Sequence, residues 1–162
     1  MELDSDPEVM RYIGSRPSNS VDWYRERIHS VYVPWQKHSW HGIRIVETLK
    51  SNQDGNEFLG WVFIRPAHLH ANANELGWQS DAVEIGFRYR QLAWGKGIAT
   101  EAAIPLVEQA LADSATPAIV GCALASNLGS LRVLEKLGLE RSGQVHIPDF
   151  SEAIITFARS KG

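Results

Sequence analysis

The amino-acid sequence predicts one α/β domain over residues 1–162, with six strand segments set among helices. Three observations carry that expectation. Apolar residues recur at helical spacing before Pro34, switch to a period of two between residues 42 and 89, and return to helical spacing from Gly97. A glycine-rich turn, Trp94-Gly95-Lys96-Gly97, sits where strand gives way to helix. No internal repeat or low-complexity linker divides the chain.

Each element has its own signal. Asp6-Pro7 is a cap followed by a proline at the first helical position, and Val9, Met10 and Ile13 share a face before Gly14 ends the helix. Ser20 opens a second helix through Trp23, Tyr24, Arg27, Ile28 and Val31, ending before Pro34. Gly42–Leu49 and Phe58–Ile64 are enriched in β-branched and aromatic residues and read as an antiparallel hairpin around a turn at residues 51–56. Residues 67–80 read as a loop, and Ala82–Tyr89 as a third strand. Ala102, Leu106, Val107, Ala110 and Leu111 form the apolar face of the next helix, which Pro105 is expected to kink rather than divide. Pro117–Ala123 lacks alternation and reads as a strand buried on both faces. Asn127 caps a helix through Leu131, Leu134 and Leu137, closed by Gly138. Leu139–Ile147 and Ala153–Arg159 supply the last two strands.

Composition narrows the function. Sixteen Lys and Arg against nineteen Asp and Glu leave a net charge of −3, which argues against a nucleic-acid partner. No apolar run approaches the length of a membrane span, so no membrane partner is expected. One cysteine, Cys122, cannot close an internal disulfide and favours a reducing, cytoplasmic setting. His38 with His41, and His68 with His70, lack the partners and spacing of a metal site, so no metal is expected. Trp35, Trp40 and Trp78 fall in loops, where they either pack locally or line an apolar acceptor pocket or dimer contact.

The strongest local signal is Trp94-Gly95-Lys96-Gly97-Ile98-Ala99-Thr100-Glu101. Gly95 and Gly97 let the backbone turn tightly and approach a ligand, and a helix start presents free N–H groups to an anion. The spacing is neither that of a nucleotide P-loop nor that of a dinucleotide fingerprint. On these residues alone, a phosphate cradle and a ligand-free strand-to-helix turn both remain open.

The same stretch, preceded by Val83-Glu84-Ile85-Gly86-Phe87, resembles the GNAT superfamily of acyl-CoA N-acyltransferases. More narrowly, Asn127-Leu128-Gly129-Ser130-Leu131-Arg132-Val133-Leu134-Glu135-Lys136-Leu137-Gly138-Leu139 is similar to a signature of the ribosomal-protein alanine N-acetyltransferase branch. Even Asp6–Tyr12 resembles that branch's first-helix segment, so the likeness spans nearly the whole chain. The family's pyrophosphate loop, [QR]-x-x-G-x-[GA], falls on Trp94-x-x-Gly97-x-Ala99, with Trp in the first place.

The resemblance implies acetyl-CoA as co-substrate, its phosphates cradled by Trp94, Gly95, Lys96, Gly97, Ile98, Ala99 and Thr100. It implies a mixed central sheet of about six strands flanked by helices, in which the strand holding Glu84–Tyr89 splays from the one holding Ile119–Ala123, with pantetheine in the gap beside Phe87 and Tyr89. Asn127 would bond the pantetheine arm, and Arg132 is family-like in position. The implied reaction is direct transfer of an acetyl group to a primary amine, on a small molecule or a protein N-terminus. Ser130 matches the serine proposed to protonate the leaving thiolate, and Glu84 a candidate base acting directly or through water. His146 is an outside candidate on a late strand.

Family members generally begin with a further strand, for which Met1–Ser5 is too short and too acidic. The edge of Gly42–Leu49 is therefore expected to be covered by a loop, the opening helices or a partner chain, which makes a homodimer possible. Two rival readings are a non-catalytic acyl-CoA sensor and a Trp-rich interaction domain.

Overall fold

Residues 2–13, 19–35, 40–49 and 55–161 are described by a computed structural model. Two short helical turns, α1 (Glu2–Ser5) and α2 (Pro7–Met10), are followed by α3 (Val21–Arg27). Next come β1 (Gly42–Glu47), β2 (Phe58–Pro66), β3 (Val83–Tyr89), α4 (Ile98–Ala112), β4 (Ala118–Leu124), α5 (Leu128–Lys136), β5 (Glu140–Val145) and β6 (Ile154–Ser160). The six strands form one mixed sheet, as expected, and lie in the order β1-β2-β3-β4-β6-β5. Every neighbouring pair is antiparallel except β3 with β4.

Side-chain parity divides the sheet into two faces. Val62, Ile64, Val83, Ile85, Ile119, Ile155 and Phe157 point to one face and pack on Leu106, Val107, Leu131 and Leu134 of α4 and α5. This is the main core. The opposite face carries Phe63, Arg65, Glu84, Arg88, Val120 and Cys122. Asp4 of α1 pairs with Arg88 and accepts a hydrogen bond from Tyr24 Oη at 2.7 Å, tying α1 and α3 to β3. Trp35 packs on Phe63 with ring centroids 5.1 Å apart, and the turns at residues 70–77 pack through Leu76 and the neighbouring Trp78 toward β4.

Several expected boundaries shift. The first helix is only Pro7–Met10, with Asp6 capping Glu8 and Val9 as its spacing implied, and α1 precedes it where the sequence showed no element. The second does not stop before Pro34. It runs on through a π turn at Ile28–Tyr32 into a 3-10 turn at Val33–Trp35, a short turn that tolerates a residue without an N–H. Its apolar residues Trp23 and Ile28 are exposed, because the helix touches the sheet side chiefly through Tyr24. α4 is one helix containing Pro105, and its buried stripe is Ala103, Leu106, Val107 and Ala110, with Ala102 and Leu111 at the margin. The expected stop at Gly14 and most of the β1–β2 turn lie outside the described residues.

Gly60 marks the tightest approach inside the sheet. Its φ is +156°, and a Cβ there would lie 2.3 Å from the Arg88 carbonyl oxygen. Backbone cannot yield as a flexible side chain would, so Gly60→Ala should cost about 2–4 kcal/mol. A urea titration should show a lower midpoint with an unchanged slope.

Candidate functional site

The parallel pair β3–β4 is joined at only two register positions, Val83 with Ile119 and Glu84 with Val120. Beyond them the strands part. The direction of the exposed backbone follows from the β2 side, where Arg90 N–H donates to the Leu59 carbonyl at 2.9 Å. Antiparallel pairing alternates, so Arg88, Gly86 and Glu84 also turn their backbone toward β2. Ile85, Phe87 and Tyr89 therefore turn theirs toward β4, into the opening. The expected splay is present, and Phe87 presents its N–H and C=O to it. At Tyr89 the carbonyl accepts the Trp94 indole N–H at 2.8 Å, while its N–H keeps the direction of that of Phe87. The Tyr89 hydroxyl is buried without a hydrogen-bond partner among the described residues, and burial pushes the phenol up to about 12.

At the C-terminal end of β3 the chain makes a 3-10 turn over Gln91–Ala93 and then the glycine-rich loop. Gly95 and Gly97 have φ of +71° and +80°, left-handed values that glycine adopts without a Cβ penalty. A Cβ built on either would meet no protein atom within 4 Å. Gly97 is the N-cap of α4 and caps with no side chain, and its carbonyl accepts from Glu101 N–H at 3.0 Å. The first N–H groups of a fifteen-residue helix therefore open onto empty space, backed by the helix dipole. Lys96 is exposed beside them, while Ile98, Ala99 and Thr100 form the first turn. A phosphate-bearing group fits this cradle: the room a Cβ would take is vacant, and the donors are backbone.

Across the opening, α5 starts at the end of β4. Asn127 Oδ1 accepts from Ser130 N–H at 3.1 Å, a side-chain N-cap. The preceding Ser126 is clamped by Glu152, which accepts from its N–H at 2.7 Å and its hydroxyl at 2.6 Å. Ser130 is half-buried in the first turn of α5, and Arg132 is exposed two residues on. His146 is exposed just past the end of β5, not on a strand.

Glu84 is the surprise in degree. It is 5% exposed, on the face opposite the main core, in a site that sequence alone did not assemble. Arg65 Nε donates to its Oε2 at 2.6 Å. Arg65 lies directly opposite in the β2–β3 register, and its guanidinium is stacked 4.5 Å from the Trp35 ring and 4.9 Å from Phe63. The other oxygen, Oε1, faces His70 Nε2 at 4.0 Å. His70 Nδ1 accepts from Asn72 N–H at 3.1 Å, so the neutral ring carries its proton on Nε2. Burial pushes the Glu84 carboxyl up to about 7, against the pull of Arg65. Burial, helped by Arg65, pushes His70 down to about 4. Burial, helped by Glu84, raises the Cys122 thiol to about 12. A carboxylate poised near neutrality beside an open sheet gap is suited to taking a proton.

Sequence reading did not single out Arg65, weighed His70 only as a metal ligand, and placed Trp78 in a loop without linking it to Glu84. A signal for Arg65 existed: one positive charge inside an apolar strand, facing one negative charge inside the next. Among the described residues no group of three or more His, Cys, Asp or Glu stands close enough to hold a metal ion. No helix among them is long and apolar enough to cross a membrane.

A mixed sheet that splays at its one parallel pair, with a glycine-capped helix start at the mouth, is the architecture of an acyl-CoA-binding transferase. Comparison with known proteins agrees. Residues 1–140 match the acetyltransferase (GNAT) domain, and the chain belongs to that family. It is 28% identical over 140 residues to the FsC-acetyl coenzyme A-N(2)-transacetylase of Aspergillus fumigatus, covering 86% of this chain but 56% of that protein's length. Among solved structures, a GNAT-family acetyltransferase from Bacillus anthracis superposes with a TM-score of 0.69 at 22% identity, covering 99% of this chain and 86% of that one. The aminoglycoside acetyltransferase AAC(6')-Ib in complex with coenzyme A gives 0.67 at 20% identity, with the same coverage. These two likenesses are of fold.

Proposed function

We propose that the chain transfers an acetyl group from acetyl-CoA to a primary amine by direct attack in a ternary complex. The observation that carries this reading is the pairing of two features along one sheet opening. One is a backbone phosphate cradle at Gly95–Thr100, and the other a buried carboxylate at Glu84. The cradle and the backbone of Phe87 would hold the co-substrate, with Asn127 beside its arm. Bound there, acetyl-CoA supplies an acetyl carbon activated as a thioester.

The residues then divide the proton work. Glu84 takes a proton from the acceptor ammonium, directly or across a water, leaving the amine lone pair free to attack. As the carbon–sulfur bond breaks, Ser130 Oγ–H donates its proton to sulfur and is reprotonated from solvent. Arg65 anchors one oxygen of Glu84, so the second is the one that receives the proton. The likeness to a protein named as an N(2)-transacetylase supports an amine as acceptor.

The test is release of free CoA thiol from acetyl-CoA with a panel of amines, alongside calorimetric binding of acetyl-CoA. Binding with amine-dependent thiol release is expected. Binding without release defines a sensor, and neither defines an interaction domain. Ser130→Ala should lower kcat by about 10²-fold or more with little change in KM for acetyl-CoA. The cap should survive, because it uses the Ser130 backbone N–H rather than the hydroxyl. A kcat within twofold of wild type would leave Ser130 a first-turn helix residue only.

A further inference from the structure

On the Glu84 face of the sheet, between the turn at residues 75–79 and the β6–β5 edge, lies a cavity of about 430 Å³. That volume is within the range of small-molecule sites. Its floor is made of small or short side chains, Ala82, Ala118, Val120, Thr156 and Ala158, and Trp78 forms a wall. The remaining polar groups are uncharged apart from Glu75, which is the single charged side chain lining it among the described residues.

The cavity is adjacent to the chemistry. Val120, in its floor, is the register partner of Glu84 in the neighbouring strand. Paired residues share a face, so the floor begins one strand spacing, about 4.8 Å, from the base. Trp78 belongs to both places, since its ring stands 5.1 Å from that of His70, the residue facing Glu84 Oε1. Charge then restricts the occupant. A polycation is held by several unpaired carboxylates, but on this face Glu84 is paired with Arg65 and Asp4 with Arg88. Only Glu75 is offered along the cavity.

We propose that this cavity takes the body of the acceptor, an elongated monoamine whose body is uncharged and hydrogen-bonding, laid against Trp78 with its amine end at Glu84. The amine end rests on the acetyl-transfer reading above. Occupation of the cavity by such a body does not.

The test uses the full chain labelled with 5-fluorotryptophan, the Trp78 fluorine resonance being assigned from Trp78→Phe. Two probes are titrated, trialanine amide (one amine on a neutral amide body) and spermidine (a polycation), and thiol release is followed in the same samples. The tripeptide amide should shift the Trp78 resonance saturably, and spermidine should not. Ala158→Leu, which fills the floor, should weaken the tripeptide's binding by at least about tenfold. Ala118→Leu fills the same floor from β4 and repeats the measurement if Ala158→Leu does not fold.

A Trp78 shift without thiol release would uphold the cavity and overturn acetyl transfer. Thiol release with the tripeptide that neither Leu variant alters would uphold transfer and overturn the cavity. An equal or tighter response to spermidine, or no response to the tripeptide, would also overturn it.

Discussion

Gly97→Val should reduce acetyl-CoA affinity below calorimetric detection while leaving a folded protein. Gly97 holds φ at +80° as the N-cap of α4, and a Cβ there meets no protein atom within 4 Å. The substitution therefore breaks no packing. It costs backbone strain of about 1–2 kcal/mol, rather more for a β-branched side chain, and projects two methyl groups into the space before the helix N–H groups. A phosphate there would lose its donors to steric exclusion, and the helix dipole would have no anion to meet. Gly55 supplies the control, because its φ is +70° and a Cβ there is also unobstructed. Gly55→Val should lose a similar amount of stability and keep full affinity. Equal affinities in a folded Gly97→Val and wild type would remove the phosphate cradle from the site.

The geometry of the glycine-rich turn was legible because it is local. Two glycines, a strand before and a helix after lie within a dozen residues, and positive φ at both glycines is what their position implies. The same holds for the Asn127 cap, which is set by a three-residue spacing. The surroundings of Glu84 were not legible. Arg65 is nineteen residues away and His70 fourteen, and they meet Glu84 only through the β2–β3 register and the returning turns. Trp94 shows the intermediate case. Its place in the loop could be read, but the bond from its indole to the Tyr89 carbonyl could not. The second helix was misjudged for a different reason. Its apolar spacing is regular, yet spacing alone does not show whether a helix face meets the sheet, and Trp23 and Ile28 remain exposed.

Glu84→Gln should lower kcat by about 10²–10⁴-fold, the range for loss of a positioned general base. Gln keeps the shape and one oxygen acceptor for Arg65 Nε, so the fold and the KM for acetyl-CoA should change little. The pH dependence separates a base from a structural carboxylate. With the carboxyl raised to about 7, wild-type kcat/KM should climb as pH rises through neutrality and then level, whereas the residual rate of the variant should lack that limb.

Stability carries the opposite slope. The folded state keeps a proton that an unfolded glutamate releases near its ordinary value of 4.5, so folding binds protons between about 4.5 and 7. Glu84's contribution is therefore fully present at acid pH and lost as pH rises through about 7. Urea midpoints measured at pH 5 and pH 8 should fall in the wild type and fall less in Glu84→Gln. A variant that loses the stability slope but keeps wild-type kcat and its pH limb would make the Arg65–Glu84 pair a packing feature of the sheet, and the base would have to be sought elsewhere on the opening.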